Sequence, residues 1–241
     1  MLKTKINKLE HYLLKKVGKA IYDYKLINDN DRILIGVSGG KDSLTLLRLL
    51  LLKRTYLPIK YTVIAAHIDF GLFQQNGIQL DDYFKKNQVD YHIEKIELPA
   101  KNNDKLSNCF WCSWNRRKIL FNLAKRYNCN KVALGHHFDD IVETFLMNLF
   151  FHGEISSMPP KLSMFSGELE IIRPLIYIPE ELIREYAICM KLPFVEYICP
   201  NYDNSQRRFI ENLLSELEKK CDYLKKNIFR SMKRIKQEYL I

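Results

Sequence analysis

No stretch of about eighteen consecutive apolar residues occurs in this 241-residue chain, so nothing in it reads as a membrane-spanning helix. Nor does it open on a charged-then-apolar leader, because Met1 to Leu26 alternates lysine with apolar residues at helical spacing. The expected location is therefore cytoplasmic, with no membrane partner. Cysteine is scarce: six residues in a chain long enough to bury a sizeable core do not describe a disulfide-stapled scaffold. In a reducing compartment such thiols read as metal-binding, catalytic or buried. Internal repeats, low-complexity tracts and flexible linkers are missing as well.

A net excess of charge of either sign is also missing from the middle of the chain. The formal net charge is +10. Residues 1–25 carry seven lysines against Glu10 and Asp23, and residues 219–241 carry eight Lys/Arg against Asp222 and Glu238. A basic excess confined to two terminal helical stretches reads as a footprint for a polyanion.

Apolar residues Ile6, Leu9, Leu13, Val17, Ile21 and Tyr24 recur every three or four positions, which predicts an amphipathic helix ending before Asn28. Short β-rich runs follow at Arg32 to Val37, Tyr61 to Ile68, His92 to Leu98 and Lys131 to Leu134, with helical stretches between them. Strands alternating with helices predict an α/β fold, a doubly wound parallel sheet with basic N- and C-terminal helices, whose ligands collect at the carboxyl ends of the strands. Gly153 to Gly167, with Met158-Pro159-Pro160, reads as a loop, and Glu170 to Arg173 as a short strand. Pro179 and Glu180-Glu181 start a helix running to about Lys191. Phe194 to Ile198 reads as strand-like, and a last long helix is expected from Ser205 to Lys236 on the stripe Ile210, Leu214, Leu217, Cys221, Leu224 and Ile228. The expected partition is a basic helix over 1–30, a nucleotide-binding domain over 31–178 and a helical region over 179–241.

The most informative segment is Ser38-Gly39-Gly40-Lys41-Asp42-Ser43, between a β run and the helical pattern Leu44 to Leu52. Paired glycines let backbone approach an anion, while helix N-terminal amides and Lys41 supply positive charge. The usual kinase or GTPase loop is absent, since the fifth residue before Gly40 is Ile35 and Asp42 follows the lysine. A carboxylate in place of a magnesium-binding hydroxyl points to another cut of ATP, in which magnesium-bound pyrophosphate leaves and AMP is transferred. The signature resembles the PP-loop of ATP pyrophosphatases.

Cys109-Phe110-Trp111-Cys112 precedes a basic helical stretch containing Arg116, Arg117 and Lys118, and Cys199 follows the strand-like Phe194 to Ile198. Two thiolates at this spacing suit a redox pair, half a zinc site or part of an iron-sulfur site, and three leave zinc and iron-sulfur both open. Cys189 and Cys221 lie on apolar stripes and read as core, and Cys129 has no assigned role. Gly135 can admit a nucleotide ring or ribose at a strand end. Asp139 and Asp140 at the next helix start suit magnesium, and Glu143 lies at capping-box distance from Asp140. His67 and Asp69, ending the second strand, are candidates for the nucleoside pocket.

Taken in order, the loop Ser38 to Ser43, Cys109-x-x-Cys112, Gly135-His136-His137-x-Asp139-Asp140-x-x-Glu143-Thr144, Met158-Pro159-Pro160-Lys161 and Cys199-Pro200 resemble the TtcA family of tRNA 2-thiocytidine synthetases. The resemblance implies a PP-loop domain that binds ATP and magnesium, and a [4Fe-4S] cluster on Cys109, Cys112 and Cys199. It implies thiolation at C2 of a cytidine of the tRNA anticodon loop, position 32, with a cysteine desulfurase or another persulfide or sulfide donor, and a homodimer. Lys41, Asp42, Asp139 and Asp140 would carry the chemistry, and Arg116, Arg117 and Lys118 with the basic termini would position tRNA phosphates. Many members carry a second Cys-x-x-Cys near the third ligand, whereas Glu196 to Arg208 holds Cys199 alone. Related uridine thiolases bear zinc-finger cysteine sets at both termini, and none is present here. Lysidine synthetases adenylate the same ring position without a metal, and a zinc-stabilised RNA-binding protein without turnover is the remaining alternative.

Overall fold

The protein is described by a computed structural model covering the backbone of residues 2–69, 74–96, 109–195 and 205–239. Its elements run α1 (Leu2–Tyr24), β1 (Asp31–Gly36), α2 (Lys41–Lys53), β2 (Tyr61–Asp69), α3 (Gln74–Lys86), β3 (Asp90–Lys95), α4 (Cys109–Arg126), β4 (Lys131–Ala133), α5 (Phe138–Met147), β5 (Lys161–Met164), β6 (Leu169–Ile172), α6 (Glu180–Cys189), α7 (Gln206–Glu218) and α8 (Leu224–Ser231). Two compact units result. Residues 1–137 with 160–197 form the first, and residues 138–159 with 198–241 the second.

The first unit is built on one six-stranded sheet of order β3-β2-β1-β4-β6-β5. Five strands are parallel and β5 pairs antiparallel with β6, Lys161 opposite Ile172 and Met164 opposite Leu169. The α/β reading holds. The stretch read as loop nevertheless contains β5, whose four residues after Pro159-Pro160 are too few and too exposed to show a period-two pattern. Strand order reverses between β1 and β4, so the crevice expected to take a ligand opens where Val37 to Gly40 and Leu134 to His137 leave the sheet.

Apolar density explains why these strands sit in the centre. Ile33, Leu34 and Ile35 of β1 and Leu44, Leu46, Leu47, Leu49 and Leu50 of α2 are fully buried, each contributing about 1.5–3 kcal/mol of burial free energy. α1 lays Leu13, Leu14, Val17, Ala20 and Ile21 against the same unit. It stops at Tyr24 because Lys25 turns left-handed, φ 48°, and the Leu26 amide closes on the Ile21 carbonyl at 3.0 Å.

In the second unit the expected single helix from Ser205 to Lys236 is two helices, broken over residues 219–223. α5 has ten residues, about 15 Å of helix, too short to cover a straight partner three times its length. Folding back at the break lets Ile210 and Leu214 of α7 and Leu224, Ile228 and Phe229 of α8 pack on Val142 and Leu146 of α5. Cys221 therefore lies exposed in the turn rather than in a core, and Cys189 is only half-buried.

At the amino ends of the strands Lys131 is buried, its Nζ 3.4 Å from Asp31 and in contact with Glu170, which Lys161 also reaches at 2.7 Å. Burial would raise the Glu170 pKa, but the two lysines outweigh it and hold the carboxyl below its usual value. Its stabilising contribution is therefore present above the ordinary carboxylate range and is lost as pH falls through the depressed value. Lys131→Met should cost about 2–3 kcal/mol in urea denaturation at neutral pH, less than a fully buried pair because Glu170 keeps Lys161. The deficit should shrink in acid.

Candidate functional site

The loop after β1 is held by its own hydroxyls. The Ser38 amide donates to Ser43 Oγ at 3.1 Å, Ser43 Oγ donates to the Gly40 carbonyl at 3.0 Å, and the Gly40 amide donates to Ser38 Oγ at 3.2 Å. Gly39 takes φ 89°, a conformation that disfavours a Cβ, and its carbonyl accepts from the Val195 amide at 3.0 Å. Gly40 caps α2 without any side-chain hydrogen bond to the first turn, leaving those amides to an anion.

Lys41 is mostly buried at that turn. Its ammonium lies 2.8 Å from Glu180 and 3.3 Å from Asp42. Burial pulls its pKa down, but the two carboxylates outweigh it and hold the group above the ordinary lysine value. It is thus a fixed cation at a helix N-terminus. Glu180 is the first residue of α6, begun by Pro179. The sequence reading took the Glu180-Glu181 pair as helix-starting acids, and nothing in a linear pattern joins Glu180 to a lysine 139 positions earlier.

The other expected nucleotide residues gather on the first unit in two ways. Gly135 faces the first turn of α2: a Cβ there would lie 3.0 Å from the Ser43 nitrogen and 3.1–3.2 Å from the Asp42 carbonyl group. The space above Gly135 is thus taken by the loop's own backbone. His67 is buried, and its Nδ1 donates to the Val37 carbonyl at 2.8 Å, bracing the strand end that feeds the loop. Asp69 ends β2, its carbonyl accepting from the Ile96 amide. Buried His137 places Nε2 3.9 Å from Asp42.

In the second unit the acidic helix start is matched by cations. Arg207 of α7 donates from Nε and Nη2 to Glu143 at 2.9 and 2.7 Å and also contacts Asp140, while Lys225 of α8 reaches Asp139 at 2.9 Å. Burial pushes Glu143 up to about 7 although Arg207 pulls the other way, since one guanidinium serves two neighbouring carboxylates. Arg207 itself is held charged, its own desolvation outweighed by Asp140 and Glu143. A signal for this network was in the sequence: Arg207 and Arg208 sit in the first turn of α7, where cations oppose the helix dipole and need an acidic partner. Among the described residues no group of three or more His, Cys, Asp or Glu is arranged to hold a metal.

Cys109 and Cys112 fall one helical turn apart at the start of α4, and Arg116, Arg117 and Lys118 follow as exposed residues on it. The Lys118 ammonium lies 5.4 Å from the ring centroid of half-exposed Trp114. Cys199 lies outside the described residues.

The chain is similar to known proteins over most of its length. A family described as PP-loop domain matches residues 7–217. A tRNA-cytidine(32) 2-sulfurtransferase of Geotalea uraniireducens is 37% identical over 94% of this chain and 92% of its own length. One from Geotalea daltonii is 39% identical over the same shares, and one from Polynucleobacter necessarius 38% identical over 98% of this chain and 80% of its own. Among solved structures, the U34-tRNA thiolase NcsA of Methanococcus maripaludis, with its [4Fe-4S] cluster, superposes at TM-score 0.77 with 24% identity, covering 98% of this chain and 81% of that one. An NH3-dependent NAD synthetase of Campylobacter jejuni reaches TM-score 0.52 at 15% identity over 97% and 94%. Both share the fold.

Gly135→Ala should displace the first turn of α2 by a few tenths of an ångström and weaken ATP binding about tenfold or more, read by calorimetry on a variant that still melts cooperatively. For Glu143, a raised carboxyl pKa means that stability is fully present below the ordinary value and is lost as pH rises through about 7. Glu143→Gln should therefore flatten the change in urea midpoint between about pH 5 and pH 8 relative to the wild type.

Proposed function

The chain belongs to the PP-loop family and groups with its tRNA-cytidine(32) 2-sulfurtransferases, and from that premise we propose that it replaces the C2 oxygen of cytidine 32 in tRNA by sulfur at the expense of ATP. The observation that carries this reading is the continuous match of 34–39% identity over 93–98% of the chain. It is supported by a loop with uncapped amides around a fixed ammonium.

Oxygen leaves C2 of cytosine poorly, so activation comes first. The exocyclic C2 oxygen attacks the α-phosphorus of ATP, an O–P bond forms, and the bond to the pyrophosphate oxygen breaks. Lys41 and the first-turn amides of α2 offset the charge that grows on the departing pyrophosphate, and Asp42, 3.3 Å from the Lys41 ammonium, keeps that ammonium in place. Hydrosulfide then adds at C2 and AMP departs with the original oxygen, the sulfhydryl proton passing to solvent. Asp69 with Ser38 to Ser43 borders the nucleotide, Gly135 acts on it through the first turn of α2 that packs against it, and His67 through the Val37 carbonyl that its ring fixes. The base must be splayed from a single-stranded loop to be reached, and Arg116, Arg117 and Lys118 hold the flanking phosphates.

Cys109 and Cys112 at the first turn of α4, with Cys199, would hold a [4Fe-4S] cluster, a fit that rests on their one-turn spacing and on the preference of helix N-termini for thiolates. Held by three thiolates, such a group would supply a place for sulfide, which would arrive as such or be released by a thiol reductant from the persulfide of a cysteine desulfurase or another donor. Magnesium accompanies ATP, and the carboxylates of Asp139 and Asp140 are chemically suited to it. Here Lys225 and Arg207 already match them, so this arrangement does not fit a bound ion and no step depends on one. Exposed Leu149, Phe150, Phe151 and Phe209 on the second unit support a homodimer.

Anaerobically purified protein should contain iron and sulfide and, given tRNA, ATP and sulfide, yield 2-thiocytidine with AMP and pyrophosphate. Cys199→Ala should lower iron content and abolish the thiolated nucleoside. Incorporation of lysine by colourless protein, or tRNA binding without pyrophosphate release, would overturn the reading.

A further inference from the structure

α6 touches the phosphate loop from the far end of the first unit's sequence. Its first residue, Glu180, lies 2.8 Å from the Lys41 ammonium, the segment after it donates the Val195 amide to the Gly39 carbonyl at 3.0 Å, and the segment before it bridges His137 through Leu175. The helix is braced in turn. Tyr186 donates to Glu10 of α1 at 2.5 Å and accepts from Arg48 of α2 at 2.8 Å. Glu180 is thus delivered to Lys41 by a rigid support rather than by a wandering surface side chain.

Asp42 flanks the Lys41 ammonium at 3.3 Å, and Glu180 and an incoming phosphate contend for the rest of it. Lys41 is the loop's fixed charge for phosphate, its side chain only 14% exposed, whereas Glu180 is 44% exposed and reaches it from the solvent side. A phosphate oxygen that contacts the ammonium must share it with Glu180 or displace that carboxylate. We propose that Glu180 is a positioning residue that serves as an exchange counter-ion: it holds Lys41 charged and extended in the free protein, yields it to the phosphates of ATP, and takes it back as pyrophosphate leaves. This rests on the ATP-binding part of the reading above and is independent of what the adenylated acceptor is. The expected benefit is prompt release, because a lysine left with Asp42 alone would retain its product longer.

The test measures binding of inorganic pyrophosphate by calorimetry to the full-length wild type, Glu180→Gln and Glu180→Asp, each with EDTA and again with excess magnesium. Loss of the competing carboxylate should tighten pyrophosphate binding by about three- to fivefold in both conditions, the size of a part-exposed ion pair, and Glu180→Asp should stay near the wild type. Damage to the loop would move affinity the opposite way. Equal or weaker binding by a Glu180→Gln protein that melts like the wild type overturns the proposal, and so does weakening seen only with magnesium, which would make Glu180 a metal ligand. A wild type that binds neither ATP nor pyrophosphate overturns both this role and the nucleotide reading, whereas intact binding without tRNA thiolation counts against the tRNA reading alone.

Discussion

Everything at the nucleotide end of the first unit depends on how closely the segment leaving β4 approaches the first turn of α2. At Gly135 the gap to the Asp42 and Ser43 backbone is narrower than a methyl group tolerates. That approach lies at the reversal of strand order, between β1 and β4, where a parallel sheet leaves its crevice. Strand β1 aims the loop, the serine hydroxyls close it, and Gly135 lets it sit down on the neighbouring strand. With α2 seated so, its first turn and Lys41 meet at the loop without any side chain spent on capping. Its apolar face then anchors the site, since Leu44, Leu46 and Leu47 leave no freedom for the helix to slide.

The phosphate loop was legible because its requirements are local. Two glycines, a lysine and a strand-to-helix change in periodicity fall within a dozen residues, and the fold class followed from alternating strands and helices. What escaped reading was non-local or short. β5 has four residues and pairs only because β6 presents an open edge. The break between α7 and α8 is set by the length of α5, a constraint that the apolar stripe of the C-terminal segment does not contain. Glu180 reads in sequence only as a helix-starting acid and Arg207 draws no reading of its own, because their partners lie 139 and 64 or more positions away. The dipole-opposed arginines at the start of α7 are the one local hint that such partners exist. Cys199, by contrast, was singled out from the sequence and lies outside the described residues.

Gly135 shows what a residue type says about its surroundings and what it leaves open. A strand-end glycine permits close approach, and the sequence alone cannot say what approaches. In the fold it is backbone. The same holds for His67, where a polar residue at a strand end reads as a pocket lining, yet its ring is already committed to the Val37 carbonyl. Buried polar groups are satisfied first by the chain itself, so a residue acting on the ligand through the backbone it fixes is indistinguishable in sequence from one that touches it.

Counting charge along the chain overstates what is available to a polyanion. The C-terminal stretch carries eight Lys/Arg, but Lys225 is turned inward to Asp139 and Glu218, and Lys219 pairs with Glu216. On α1, Lys5 meets Glu185 and Lys19 meets Asp23. Exposed pairs of this kind hold their lysines weakly, so a phosphate can recruit Lys5, Lys19 and Lys219. Lys225, half-buried between two carboxylates that hold its pKa above the ordinary value despite desolvation, is not recruited so cheaply. Counterion release depends on the cations that actually meet phosphates. The charge open to a polyanion is therefore smaller than the net charge of +10 implies, because a lysine turned inward to a carboxylate, as Lys225 is, adds to the count without adding to the exposed surface.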